Sequence, residues 1–154
     1  MPPETITKPR EEAETPLIEI DTKEKLVDLV ATLKKEKSFA MDLEHHNKHS
    51  YQGFTCLLQL STRTTDYLVD VLTLRAHMGL LNEVTTDPAI MKVLHGANMD
   101  IVWLQKDFGV YVVNMFDTGQ AARVLGFESF GLAYLLKRFC DVIADKQYQR
   151  ADWR

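Results

Sequence analysis

The apolar run Phe39-Ala40-Met41 ends on two carboxylates one residue apart, Asp42-Leu43-Glu44. In a β-strand, side chains two positions apart leave the same face, so a strand here sends both acids the same way from its end. Like charges held that close repel, and the arrangement is costly unless a cation lies between them. A third carboxylate, Asp100, follows inside His95-Gly96-Ala97-Asn98-Met99-Asp100-Ile101-Val102-Trp103-Leu104. Three carboxylates converging on one point are the arrangement that holds two divalent ions about 3.5–4 Å apart for phosphodiester hydrolysis. Taken alone, the same residues also read as a strand-end acid, a solvated acid and a helix-capping acid, and spacing by itself favours that plainer reading.

The elements around these acids follow from periodicity. Residues 1–16 are rich in Pro, Glu, Thr and Lys without a period, which predicts a flexible lead-in. Leu17-Ile18-Glu19-Ile20 is a short strand. Asp21-Thr22-Lys23-Glu24 opens a helix, and Leu26, Val27, Val30 and Leu33 carry its apolar face to about Lys35. Strands are expected over Phe39–Glu44, Thr55–Ser61 and Thr65–Asp70, the first two antiparallel because residues 47–53 leave only a short connection. A helix over Met78–Val84 stops before Asp87-Pro88. Then come a strand at Ile90–Leu94, a helix from Asn98 to Gly109, a strand at Val110–Val113, and helices over Gln120–Leu125 and Phe130–Cys140. Three strands followed by alternating helices and strands predict a mixed α/β sheet.

Composition narrows the function. With 18 basic and 22 acidic side chains the net charge is −4, which does not suit coating nucleic acid by bulk charge. It suits a carboxylate site whose positive charge comes from bound ions. The two cysteines, Cys56 and Cys140, are too few for a disulfide framework and lie among apolar residues, so buried free thiols in a reducing compartment are expected. No apolar run approaches the roughly 20 residues of a membrane span, and Met1-Pro2-Pro3-Glu4 does not begin like a signal peptide. The expectation is a soluble intracellular protein without a membrane partner.

The string Phe39-Ala40-Met41-Asp42-Leu43-Glu44-His45-His46 resembles the first exonuclease motif of the DEDD superfamily, in its RNase D-like branch. The paired histidines point within that branch to the nuclear exosome-associated 3′–5′ exoribonucleases. His95-Gly96-Ala97-x-x-Asp100-x-x-Trp103-Leu104 resembles the second motif. Val113-Asn114-Met115-Phe116-Asp117-Thr118 and Lys146-Gln147-Tyr148-Gln149-x-Ala151-Asp152-Trp153-Arg154 are similar to further stretches of the group. The resemblance runs from about Ile18 to Arg154 and implies an RNase H-like mixed sheet with flanking helices over residues 17–154. The family's third motif, a Tyr-x-x-x-Asp, is not found; Asp141, Asp145 and Asp152 lack that setting. The expectation is an exonuclease domain whose C-terminal part is missing, little active as residues 1–154 alone.

The resemblance also implies roles. Asp42 would bridge two metal ions, Glu44 would complete one, and Asp100 would join them from the first turn of its helix. Mg²⁺ is the natural ion for oxygen-only ligands and phosphate substrates, with Mn²⁺ also fitting. His45 would hydrogen-bond the terminal nucleotide, Trp103 would pack on the 3′-terminal base, and Lys146 would neutralise a phosphate. Without the resemblance Trp103 reads as a core anchor and Lys146 as a surface lysine. His45, His46 and His49 lack the second cluster that zinc would need. Asp117 reads as a helix cap before Thr118 and stays outside the site. The implied substrates are single-stranded RNA 3′ ends, degraded to nucleoside monophosphates. The implied partners are the nuclear RNA exosome core and its cofactors, in the nucleus and its nucleolus. The competing readings are a non-catalytic RNA-binding or interaction module and a DNA-directed exonuclease of the same superfamily.

Overall fold

Alternation along the second strand decides which way the sheet faces. Phe39, Met41 and Leu43 are buried, whereas the alternate residues Ala40, Asp42 and Glu44 are not. One face of this strand is core and the other looks out. The computed structural model describes residues 9–10, 14–47 and 51–145, so most of the expected lead-in lies outside the described residues.

The strands are β1 (Leu17–Ile20), β2 (Ser38–His46), β3 (Phe54–Ser61), β4 (Asp66–Val69), β5 (Met91–Leu94) and β6 (Met115–Asp117). They form one six-stranded sheet in the order β1-β4-β3-β2-β5-β6. β2 pairs antiparallel with β3, and β3 with β4. β1, β5 and β6 join in parallel. This is the mixed α/β sheet that the order of elements predicts, with the antiparallel β2–β3 pair where the short connection requires it. Longer connections let the chain cross over and add parallel strands beyond it.

The helices are α1 (Lys23–Leu33), α2 (Asn82–Thr85), α3 (Asn98–Phe108), α4 (Thr118–Val124) and α5 (Leu132–Cys140). Thr22 caps α1 by accepting from the Lys25 amide. Leu26, Leu29, Val30 and Leu33 of α1 then pack with Phe39, Met41, Leu43, Leu58 and Leu60 of the sheet. Met78, Leu81, Val84 and Leu104 complete that core from the helical segments after β4 and from α3. No helix among the described residues is long and apolar enough to cross a membrane.

Three expectations need correction. The helix expected over Met78–Val84 starts earlier, as a 3-10 helix over Arg75–Leu81 that runs into α2. Residues 110–113 are not a strand; the strand is β6, two residues further on. Gly109, at φ 63°, closes α3, and the Val110 amide bonds back to the Leu104 carbonyl. The following amides then go to the α2 region, Tyr111 to the Asn82 side chain and Val113 to the Thr85 carbonyl. Asn114, at φ 55°, turns the chain before it reaches β5. A β-rich run whose amides are already satisfied elsewhere has none left for the ladder. Lastly, Cys56 is buried as expected, but Cys140 is only half-buried.

Candidate active site

Asp42 and Glu44 lie on the outward face of β2, on a cleft of about 850 Å³ that is also lined by Gln59, Ser61, Val93, Thr118 and Leu132. The two acids therefore stand together on the open face, as the period-2 spacing requires. Asp100, in the first turn of α3, is buried. The three carboxyls share one electrostatic neighbourhood. Burial pushes Asp100 up to about 6, and the charge of Asp42 pushes in the same direction. Burial also raises Glu44, followed by the charges of Asp42 and Asp100. Asp42 is raised by the protein packed around it, although its own surface is open to the cleft. The Leu43 amide opposes the rise at both Asp42 and Asp100, so these two acids flank the same peptide group.

Among the described residues these acids do not close into a ready-made cage of three metal-ligating side chains. What fits a divalent cation is the chemistry of the set: three oxygen donors, each held above its ordinary pKa by burial, two of them, Glu44 and Asp100, also by the charge of Asp42. A divalent ion reverses both penalties, because it supplies the charge that burial and like neighbours make costly.

Beside the acids, β2 and α3 touch through His45, the residue after Glu44, and Trp103, three residues after Asp100. The rings of His45 and Trp103 stack with centroids 4.2 Å apart and planes 10° from parallel. Trp103 also packs against the core, half-buried. So Trp103 is partly the anchor that the plainer reading expects, with His45 covering one of its faces. Burial, then the charge of Lys106, lowers the pKa of His45, which leaves the ring neutral at pH 7. Its Nε2 is buried without a hydrogen-bond partner among the described residues. The pairing shifts register between Glu44 and His45, so that Glu44 faces Leu57 while His45 faces Thr55. Cys56 is the extra residue of that bulge, which re-aims the strand at the site. Asp107 secures it from α3, accepting from the Thr55 amide at 2.9 Å and hydroxyl at 2.8 Å. Lys146, the remaining expected contact residue, lies outside the described residues, as do His49 and Asp152.

Two groups at the site were not singled out by sequence. His95 lines the cleft and its charge lowers Asp42. Its Nδ1 is 2.8 Å from the Thr118 hydroxyl, which itself donates to the Leu94 carbonyl, so the ring N–H is the donor of that pair. Asp117, the expected cap of α4, is buried and accepts from four backbone amides, of Gly96, Ala97, Gly119 and Gln120. The Val-Asn-Met-Phe-Asp-Thr stretch was the one signal that could have drawn attention to it.

With this geometry in place, comparison with known proteins decides the family. The sequence family described as 3′–5′ exonuclease matches residues 17–154. The chain belongs to the 3′–5′ exonuclease family. Members of this family depend on divalent metal ions. The chain is 57% identical over 141 residues to human exosome complex component 10, covering 92% of this chain and 16% of that protein. The catalytic core of RRP6 from Trypanosoma brucei superposes with a TM-score of 0.93 at 50% identity, covering 98% of this chain and 42% of that one. Escherichia coli RNase D, an exoribonuclease involved in structured RNA processing, superposes with a TM-score of 0.83 at 26% identity, over 90% of this chain and 37% of that one. The exonuclease chain described here thus spans a minor part of each relative's length. Its six-stranded α/β architecture is that of the RRP6 and RNase D exonucleases.

Proposed function

We propose that the chain carries part of the catalytic centre of a metal-dependent 3′–5′ exoribonuclease that removes nucleoside monophosphates from single-stranded RNA 3′ ends. The observation that carries this reading is the shared field of Asp42 and Glu44, on an open cleft, with the buried Asp100 of α3, beside a stacked pair of rings. Asp42 and Glu44 would hold divalent metal from β2, and Asp100 from α3. Mg²⁺ suits the oxygen-only donors, and Mn²⁺ also fits. When bound, the ions supply charge stabilisation of the attacking and leaving oxygens of a phosphodiester.

The chain's own groups do the rest. Asp42 and Glu44, side by side on the open face of β2, with Asp100 of α3 coupled to them, would fix where the scissile phosphate can sit. The ring of His45, neutral and next to the acids on β2, would hydrogen-bond the terminal nucleotide. Trp103 backs that ring and holds it flat, an aromatic platform that accepts any base. Lys146 would add a positive charge for a phosphate. The names of the relatives support RNA as substrate and association with the exosome; within that reading the chain works with the exosome core and its cofactors, in the nucleus and its nucleolus.

The test compares wild type with Asp42→Asn in the full-length protein, on matched single-stranded RNA and DNA with Mg²⁺, Mn²⁺ or EDTA. The expected result is 3′ trimming of RNA that needs the metal and is lost in Asp42→Asn, with the circular dichroism spectrum unchanged. Trimming by Asp42→Asn at the wild-type rate would refute the assignment, and equal trimming of DNA would refute the RNA reading.

A further inference from the structure

We propose that Asp117 is a positioning residue for Asp100: its carboxylate pins the turn from which α3 presents the metal-facing acid. A helix cap needs only the amides two and three residues on, and Asp117 Oδ1 takes these from Gly119 at 2.8 Å and Gln120 at 3.1 Å. The same oxygen also accepts from Gly96 at 3.0 Å, and Oδ2 from Ala97 at 2.9 Å, residues 21 and 20 positions earlier. Those two bonds are surplus to capping α4. They land on the N-terminus of α3, where Ala97 is the cap residue and has no side chain to do the work.

Asp100 follows three residues later. Ala97 is 1% exposed and the bond from its amide to Asp117 is buried, so no water can replace that acceptor and the carboxylate that meets the amide decides where the helix begins. Gly96, at φ 66°, makes the turn. Gly119 lets the two segments close upon each other: a Cβ there would lie 3.3 Å from Asp117 Oδ1 and 3.3 Å from His95 Cε1. One carboxylate thus ties the start of α3 to the start of α4 and sets the aim of Asp100 toward Asp42 and Glu44. Groups that orient metal ligands typically change metal affinity about 10–100-fold when removed.

This inference rests on the metal reading above, and one experiment separates the two. Asp117→Ser keeps a hydroxyl that caps α4 but is too short to reach Gly96 and Ala97. Dissociation constants for Mn²⁺ and Mg²⁺ are measured by calorimetry on the full-length protein, with amide hydrogen exchange over Gly96–Asp100. The control is Leu26→Ala, a core change in α1 that lowers Tm away from the site. The expected result is metal binding weakened about 10–100-fold in Asp117→Ser, with faster exchange at Ala97–Asp100, retained protection in α4, and wild-type affinity in Leu26→Ala. Affinity within about twofold of wild type in Asp117→Ser, or an equal loss in Leu26→Ala, overturns the positioning role. Should Asp117→Ser not fold, Asp117→Asn makes the same test with the same thresholds, since its amide nitrogen would face the Ala97 N–H while its oxygen serves the other three. No metal binding by wild type would overturn the site reading and this inference together, whereas equal binding by wild type and variant would overturn this inference alone.

Discussion

Replacing Asp100 by Asn should make the metal-free protein more stable, an unusual outcome for a buried acid in a folded domain. The Asp100 side chain is 8% exposed, and burial with the charge of Asp42 raises its pKa from 3.8 to about 6. A rise of about two units corresponds to about 3 kcal/mol. The sign follows from proton linkage. Between about pH 4 and pH 6 the folded state holds a proton that the unfolded state has released, so stability falls as pH rises through that window. Above pH 6 the whole cost is present. Asparagine removes it while keeping the shape; the loss of a negative charge in the first turn of α3 returns about 0.3–1 kcal/mol. The net gain at pH 8 is about 2 kcal/mol, worth about 4–8 °C in Tm for a chain of this size, and it should vanish near pH 4. Divalent metal reverses the order: at a hundred times its dissociation constant it stabilises the wild type by about 2.7 kcal/mol and the variant by far less. Thermal unfolding from pH 4 to pH 8, with EDTA and with Mg²⁺, reads both effects. A variant less stable than wild type at pH 8 in EDTA, or one that gains as much from Mg²⁺, would refute the reasoning.

Two further changes probe how the site is supported. Gly53→Ala places a Cβ 2.0 Å from His45 Cε1 at a backbone φ of 63°, so it should displace the ring from Trp103 and cost about 1–3 kcal/mol; an unchanged Tm with normal RNA-end binding would show that the contact is slack. Lys92 is fully buried in β5 with its ammonium on the carbonyls of Val84, Asp87 and Ile90, at 3.4, 2.8 and 2.5 Å. Lys92→Met leaves those acceptors without their donor and should lower stability by about 1–3 kcal/mol; urea unfolding with an equal or higher midpoint would mean that desolvating the charge costs as much as its hydrogen bonds return.

Neighbouring residues alone determined the facing of Asp42 and Glu44, because strand geometry turns spacing into direction whatever packs on top. They also determined α3, through its apolar period and the Gly109 stop, and with it the place of Asp100 in a first turn. The motifs added the family. Tertiary structure decided matters in which a group chooses between local and distant partners. The run 110–113 has strand-forming residues, yet the Val110 amide goes back to Leu104 and those of Tyr111 and Val113 to the α2 region, so the ladder begins only at Met115. From its neighbours Trp103 reads as a core anchor and from the resemblance as a base platform; only the fold puts His45 against its ring, since a helix sequence does not say which strand end it will meet. Asp117 looks like any helix cap from its own neighbours. Only the fold brings Gly96 and Ala97 to the unused side of its carboxylate, because a hydrogen bond across twenty residues depends on where two chain segments arrive, and no local spacing records that.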